Sequence, residues 1–283
     1  MVNKLGIILP VFNNINTLDN TLQSIIDQTD RNFDLYVIDD NSTDGSSDIL
    51  KSFCKKYNFF YKKIFTNLNG KYYNNINIDA GGTARNEAYK VCENQYIFSM
   101  GDEILFKNTV EIIKIFLKKY KYYHYIFDVI NIPEEKQDEL KDKRFNVEKY
   151  LKENKIKILD TKELIKFSEN QIGILYKFLP SLSNQLPFKI KNSFFLKKLF
   201  FKNFQPVPGC SGCAIYHKNV YKKIFYNNLS ARTFPAFNGR GTDRDMCLRV
   251  IRNFKKSVLI PLPIFPSVMD HPKDFFLINN YLY

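Results

Sequence analysis

Continuous apolar runs and helical spacings alternate along the first hundred residues. Residues 5–9 form an aliphatic run that ends at Pro10, and residues 33–38 form a second run that ends in acids. Such runs are typical of strands that are buried on both faces of a parallel sheet. Apolar residues at helical spacing follow each run, namely Leu18, Leu22, Ile25 and Ile26, then Ile49, Leu50 and Phe53. This order predicts a parallel, doubly wound α/β sheet with right-handed crossovers.

The same patterns predict further elements. We expect helices over 46–57 and 82–91, and Asn16 or Thr17 as the N-cap of the first helix. Further strands are expected over 59–65, 96–100, 212–216 and 257–260, and a late helix over 243–251. Between 136 and 205 the pattern weakens into charged, helix-prone segments, which predicts a helical insertion. The whole chain is expected to form one domain with a C-terminal elaboration.

The chain is strongly basic. Its 42 Lys and Arg against 29 Asp and Glu give a formal charge of +13, and lysines are dense at 118–121, 189–202 and 255–256. An anionic membrane surface, a nucleic acid and a phosphorylated substrate all suit this charge, as does a merely solvated surface. Because no nucleic-acid-binding motif is recognisable, we expect no nucleic acid partner.

The cysteines and the apolar segments indicate a cellular setting. Five cysteines are too few and too scattered for a disulfide scaffold. Cys210 and Cys213 have the spacing of half a zinc site, but no second pair of ligands is nearby. No window reaches the roughly 18 apolar residues of a spanning helix, and the run at 5–9 is too short for a signal peptide. We expect a cytoplasmic protein, with peripheral contact at the inner face of the membrane as an option.

Acidic residues directly follow two predicted strands. Asp39 and Asp40 end one strand, and Asp102 and Glu103 follow another after Gly101. Because ligands of open α/β sheets collect at the carboxyl ends of the strands, these acids should share one crevice. Carboxylates there can hold a hard cation, Mn²⁺ or Mg²⁺, that neutralises a diphosphate. Solvated turn acids are the alternative.

Four segments in a fixed order carry a resemblance to a known family. They are residues 7–13, 28–45, 84–86 and 96–103. In this order they resemble family 2 glycosyltransferases of the GT-A fold. The resemblance implies that residues 1–110 form the half that binds a nucleotide sugar. Residues 111–283 would then form the acceptor-binding half, which includes the helical insertion.

The resemblance also implies roles for individual residues. Nucleotide binding falls to Pro10, Phe12, Asn13, Asp40, Arg85 and Asp102, and metal binding to Glu103 and Asp102. Pro10 and Phe12 would flank the nucleobase, and the acceptor-only carboxylate of Asp40 would select a uracil N–H. Arg85 would assist the diphosphate or brace the acidic turn. The family often has Asp-x-Asp where this chain has 101–103, so Gly101 stands in place of the first acid.

Two late segments supply the remaining expected site residues. Asp243 matches the general base that deprotonates the acceptor hydroxyl, with Asp245 as its rival. The alternative is that these two acids only complement the helix dipole from the first turn of the helix. His271 matches a late histidine that in some GT-A enzymes completes the metal shell or touches the diphosphate; a surface or packing histidine is the alternative. We treat His124 and His217 as structural.

The resemblance predicts an inverting, metal-assisted transfer from a UDP-sugar to a saccharide or lipid-linked acceptor, in bacterial capsule or lipooligosaccharide synthesis. A nucleotide-binding module without transfer activity remains open because Gly101 replaces an acid. A sugar nucleotidyltransferase is a further alternative. Such enzymes usually carry a glycine-rich, basic loop after strand one, and residues 11–16 contain neither glycine nor cation.

Overall fold

The computed structural model describes residues 4–66, 72–73, 76–77, 81–101, 103–133, 136–140, 142–155, 157–171, 214–224, 241–268 and 279–283. The strands are β1 (Leu5–Val11), β2 (Phe33–Asp39), β3 (Phe60–Lys63), β4 (Tyr72–Tyr73), β5 (Ile76–Asn77), β6 (Tyr96–Ser99), β7 (His124–Ile132), β8 (Ala214–His217) and β9 (Ser257–Val268). The helices are α1 (Ile15–Ile26), α2 (Ser46–Tyr57), α3 (Gly82–Val91), α4 (Thr109–Lys119), α5 (Gln137–Leu140), α6 (Val147–Asn154), α7 (Thr161–Gln171), α8 (Lys218–Tyr221) and α9 (Gly241–Phe254).

Seven strands form one sheet in the order β3-β2-β1-β6-β8-β7-β9. Only β8 runs antiparallel to its neighbours β6 and β7, while the other pairs are parallel. The carboxyl ends of β1, β2, β6, β7 and β9 therefore lie at one edge of the sheet. The strands β4 and β5 form a separate antiparallel hairpin. This architecture confirms the predicted mostly parallel α/β sheet.

Helices cover both faces of the sheet. One core cluster joins α1, α2 and α4 to β1 and β2 through side chains such as Leu22, Leu50 and Phe116. A second cluster, on the other face, joins α3, α8 and α9 through Ala88, Tyr221 and other buried side chains. Burial on both faces explains the continuous apolar runs of the central strands.

Most predicted elements are present, with some differences. The first helix begins at Ile15, and its N-cap is Asn14 rather than Asn16 or Thr17. The last strand extends to Val268, far beyond the predicted end at residue 260. Prolines are tolerated along it because β9 is the last strand of the sheet, where its ladder partner is β7 and Leu159 adds one isolated bridge. The strands β4, β5 and β7 and the helices α4 and α8 were not predicted.

In the described residues, we find no helix whose length and apolar character would let it cross a membrane.

Candidate functional site

The carboxylate of Asp40 lies immediately beyond β2, at the carboxyl edge of the sheet. Its backbone N–H donates to the carbonyl of Val11 at 2.9 Å, which anchors it beside the end of β1. Thr66 donates its N–H to one carboxylate oxygen (2.9 Å) and its hydroxyl to the other (2.5 Å). The residue is only 3% exposed. A carboxylate oxygen accepts more than one hydrogen bond, so Asp40 retains capacity for a ligand donor.

Asp39 is fully buried and serves the loop after β2 rather than the crevice. One oxygen accepts from the N–H of Ser42 at 2.9 Å. The other accepts from the hydroxyls of Ser47 (2.5 Å) and Tyr61 (3.1 Å). The expectation that Asp39 shares the crevice with Asp40 is therefore corrected, because its described partners are Ser42 of the following loop and Ser47 and Tyr61, eight and 22 residues away.

Asn13 joins the loop after β1 to the loop after β2. Its backbone has a φ of 51°, in the left-handed region that Asn tolerates. Its N–H donates to the Ser42 hydroxyl at 3.0 Å, and its side-chain oxygen accepts from the N–H of Thr43 at 2.8 Å. The described contacts of this predicted nucleotide-binding residue are therefore with a neighbouring loop.

Asp44 caps two helices at once. One carboxylate oxygen accepts from the N–H of Ile15 at the start of α1, and the other from the N–H of Ser46 at the start of α2. Burial alone would raise the pKa of Asp44, but the hydrogen bonds from Ser46 and Ile15 outweigh burial and lower the pKa. A negative charge at helix N-termini is favourable, so Asp44 fixes both helices at the crevice.

Arg85 lies under the crevice, between β1 and the end of β6. It is 5% exposed, and its guanidinium donates to the Ser99 hydroxyl (2.9 Å) and the Met100 carbonyl (3.4 Å). A Cβ atom at Gly81, where φ is 74°, would stand 2.9 Å from the Arg85 guanidinium and 3.4 Å from Pro10. These described contacts favour the bracing role over direct contact with a diphosphate.

The acidic turn follows β6. The N–H of Met100 donates to the carbonyl of Ile8, and the N–H of Gly101 donates to the carboxylate of Glu103, which is 6% exposed. A Cβ atom at Gly101 would stand 3.3 Å from that carboxylate, so a glycine lets Glu103 fold back. This contact gives a structural reason for the missing first acid. Asp102 lies outside the described residues.

Gln28 and Ser24 of the α1 region hold the chain that follows the acidic turn. The amide of Gln28 donates to the carbonyls of Ser24 and Phe106 and accepts from the N–H of Val110, at 2.8 to 2.9 Å. The hydroxyl of Ser24 accepts from the N–H of Leu105 at 3.1 Å. Gln28 therefore contributes to the site by positioning this segment, a role that the sequence pattern did not specify.

The structure brings Asp40 and Glu103 to the same edge of the sheet, as the sequence predicts. The strands that precede them, β2 and β6, lie on either side of β1. Because neighbouring strands are roughly 5 Å apart, β2 and β6 are separated by about 10 Å. Pro10 is the penultimate residue of β1, and Phe12 follows it. The described nucleotide-binding candidates thus lie around the end of β1, at the carboxyl edge of the sheet.

The predicted base lies at the start of α9. Because α9 leads into β9, which is parallel to β7, the helix begins at the carboxyl edge of the sheet. The backbone places Asp243 and Asp245 in its first turns, while their side chains lie outside the described part. His271, Cys210 and Cys213 also lie outside it.

His124 and His217 are buried and lie away from the crevice, near the opposite edge of the sheet. The ring of His124 stacks on Tyr216 at 4.8 Å, and its Nδ1 lies 3.2 Å from the Ser257 hydroxyl. Burial lowers the pKa of His124 to about 3. His217 caps α8, since its Nδ1 accepts from the N–H of Asn219. Both contacts agree with structural roles.

The acidic turn after β6 contains the described residue that could bind a metal ion. Over the described ranges, no group of three or more His, Cys, Asp or Glu side chains is gathered as a metal site. Glu103 nevertheless offers carboxylate oxygen, the donor that Mg²⁺ and Mn²⁺ prefer, at the edge where strands end. The donor chemistry of Glu103 thus fits a hard divalent cation.

Comparisons with known proteins identify relatives of this chain. The profile described as glycosyl transferase family 2 matches residues 6–225. An uncharacterized glycosyltransferase of Rickettsia bellii (strain RML369-C) is 32% identical over 120 residues, which are 41% of this chain and 15% of the relative. The alignments span only 15% to 17% of three such Rickettsia relatives.

Solved structures share the fold. S. aureus TarS 1–349 in complex with UDP has a TM-score of 0.53 at 16% identity, covering 97% of this chain and 63% of that one. The mannosyltransferase PcManGT from Pyrobaculum calidifontis, in complex with GDP-Man and Mn²⁺, has a TM-score of 0.51 at 12% identity, covering 98% and 58%. At these identities the likeness concerns the fold alone.

Proposed function

Because the chain belongs to glycosyltransferase family 2, we propose that it transfers a sugar from a nucleotide-diphosphate donor to an acceptor hydroxyl. The observation that carries this proposal is that Asp40 and Glu103 follow β2 and β6 at the same edge of the sheet, on either side of β1. Asp40 there can accept a hydrogen bond from the base, and Glu103 can bind a divalent cation that neutralises the phosphates.

Uridine is the nucleoside that we propose for the donor. The buried carboxylate of Asp40 is an acceptor-only group, so it favours a base that presents an N–H. Thr66 holds both of its oxygens, which fixes the direction of their remaining lone pairs. Pro10 and Phe12 would flank the base and exclude water from it. The fold relative TarS in complex with UDP supports this choice.

The leaving group is the part of the donor that needs charge stabilisation. Mn²⁺ or Mg²⁺, held by Glu103 and Asp102 with His271 as a further ligand, would supply Lewis-acid stabilisation of the departing diphosphate. The mannosyltransferase with Mn²⁺ supports this assignment. Arg85 braces the end of β6 and so keeps the acidic turn in place.

Asp243 is proposed as the general base. It would take the proton of the acceptor hydroxyl while the hydroxyl oxygen bonds to the anomeric carbon and the bond to the diphosphate breaks. In-line attack of this kind inverts the anomeric configuration. The first turn of α9 lies at the same edge of the sheet as the crevice, which supports the assignment.

The setting that we propose follows from the family resemblance. The acceptor would be a saccharide or a lipid-linked glycan, and the pathway the synthesis of a bacterial capsule or lipooligosaccharide. Residues 1–110 would form the donor half and residues 111–283 the acceptor half. We propose a cytoplasmic location with peripheral contact at the inner face of the membrane.

A nucleotide-binding module without transfer activity is the second candidate. The observation that favours it is the hydrogen bond from Gly101 to Glu103, which engages an oxygen that a metal would need. Under this alternative, the protein would bind UDP with no dependence on Mn²⁺ and would turn over no donor.

A panel of nucleotide sugars separates the two candidates. We expect hydrolysis of a UDP-sugar that requires Mn²⁺ and stops with a chelator. The Glu103→Gln variant should lose both donor affinity and turnover, while Glu111→Gln, an acid on the exposed side of α4, should retain both. Tight UDP binding by the unmodified protein without hydrolysis of any donor would support the module and contradict the enzyme.

A further inference from the structure

A dense group of lysines lies at the amino edge of the sheet, opposite the crevice. Three segments meet there: residues 118–123 at the end of α4, residues 217–223 around α8, and residues 254–256 at the end of α9. They contain eight lysines, no arginine and no acidic residue. The lysines are Lys118, Lys119, Lys121, Lys218, Lys222, Lys223, Lys255 and Lys256, and all are exposed. We call these three segments the lysine face.

Tyr123 joins the three segments into one surface. Its N–H donates to the carbonyl of Lys256 and its carbonyl accepts from the N–H of His217, each at 2.8 Å. Its ring stacks on His217 at 4.8 Å between centroids. The ammonium of Lys256 lies 4.7 Å from the centre of the same ring. The lysines are therefore held close together by the fold, although they are distant in sequence.

The positive field of this face is only weakly neutralised. Among the described residues, Lys222 pairs with the largely exposed Glu93 at 3.2 Å, and Lys118 interacts electrostatically with Asp30. Burial, and then the charges of Lys218 and Lys256, lower the pKa of His217. A buried imidazole thus experiences the positive charge that an external anion would meet.

We propose that the lysine face binds a membrane surface that contains anionic lipids. Clusters of four to eight basic residues attract acidic lipid surfaces, with about 1 kcal/mol for each lysine near the surface. The partly exposed rings of Tyr120 and Tyr122 lie between the lysines, and tyrosine is a residue that favours the interface of a bilayer.

The composition of the face favours a membrane over a nucleic acid or another soluble polyanion. Recognition of a defined phosphate chain favours the planar fork of arginine, which the three segments lack. Lysine is a compact point charge that suits a diffuse negative surface. The face also differs from the lysine-rich stretch at 189–202, which lies outside the described residues.

Vesicle sedimentation tests this proposal without any donor or acceptor. The unmodified protein should bind vesicles that contain phosphatidylglycerol and ignore vesicles of phosphatidylcholine alone, and rising salt should release it. The variant Lys118→Gln/Lys121→Gln/Lys223→Gln should lose about a hundredfold in vesicle affinity, since each of the three lysines contributes about fivefold.

A matched variant controls for net charge. Lys51→Gln/Lys152→Gln/Lys166→Gln removes the same charge from exposed positions of α2, α6 and α7, and it should bind vesicles almost as well as the unmodified protein. Thermal melting curves should coincide for all three proteins, which shows that each is folded.

Three outcomes would overturn the proposal: equal loss in both variants, no loss in either, or binding to polyphosphate but not to vesicles. None of these outcomes bears on sugar transfer, because vesicle binding requires no donor. Absence of donor turnover would equally leave the vesicle result standing.

Discussion

The charged side chains at the two edges of the sheet are held in different ways. At the carboxyl edge, Asp39, Asp40 and Asp44 each accept two or more hydrogen bonds from fixed backbone or hydroxyl donors. At the amino edge, the lysine face presents exposed ammonium groups with few partners in the described residues. The carboxylates of the first edge are held in fixed positions, whereas the lysines of the second edge provide only a positive electrostatic field. Substitutions should therefore act steeply at the carboxyl edge and mildly at the amino edge.

The largest effect should come from Asp243 at the carboxyl edge. Asp243→Asn removes the proposed base, so the transfer rate should fall by about 10² to 10⁴ while donor affinity is kept. Single-turnover transfer and UDP-sugar calorimetry measure the two quantities. Asp245→Asn is the control and should remain active. Normal turnover by Asp243→Asn would show that another group takes the proton.

The next effect concerns Gln28, which ties the acidic turn to α1. Gln28→Leu leaves the Val110 N–H and the Phe106 carbonyl without their buried partner, so the free energy of unfolding should fall by about 2 to 3 kcal/mol. Denaturant unfolding measures the loss. Gln23→Leu, at an exposed position of α1, should change the unfolding free energy by less than about 0.5 kcal/mol. Similar values for both would contradict a positioning role for Gln28.

A third prediction distinguishes the role of Asp39, the last residue of β2, from that of Asp40, which follows it. Asp40→Asn should weaken UDP binding by about tenfold, because one charged acceptor is lost from the crevice. Asp39→Asn should instead lower the melting temperature, since Asp39 holds Ser42, Ser47 and Tyr61. Calorimetry with UDP and thermal melts distinguish them. An Asp39→Asn protein with normal stability but weak UDP binding would reverse the assignment.

The smallest effect concerns the amino edge, where His124 is buried beside the lysine face. Burial holds its folded pKa near 3, below the 6.5 of an exposed histidine. The unfolded chain therefore binds the extra proton, and stability should fall by up to about 1.4 kcal/mol per pH unit as the pH drops below 6.5. Melting curves between pH 7.5 and pH 5 measure this loss.

His124→Phe is the matched test of that prediction. The phenyl ring keeps the stacking on Tyr216 but does not titrate. The melting temperature of the variant should depend less on pH between 7.5 and 5 than that of the unmodified protein. An unchanged pH dependence would assign the acid sensitivity to other groups.

The first half of the fold was predictable because its strands are buried on both faces. Residues 5–9 and 33–38 are unbroken apolar runs, and the topology rule for parallel sheets then places Asp40 and Glu103 at one edge. The strand β7 escaped prediction because His124 and Asp128 interrupt its apolar run. The prolines of β9 similarly hid the length of an edge strand.

The support of the site was not predictable, because it depends on contacts between distant residues. The two caps of Asp44 require Ile15, 29 residues away, and the amide of Gln28 reaches Phe106, 78 residues away. No local spacing records such pairs. Sequence patterns therefore indicate which residues face a ligand, whereas the side chains that hold them become visible only in the folded chain.

The length of β1 sets how far the reaction would take place from a bilayer. Its seven residues run from the amino edge to the crevice, a rise of about 20 Å. A protein resting on Lys118 and its neighbours would hold the departing diphosphate that far above the lipid phosphates. If the acceptor glycan is anchored in the bilayer, only sugars far from the lipid would then reach the site of transfer. Short glycans close to the lipid would be poor substrates.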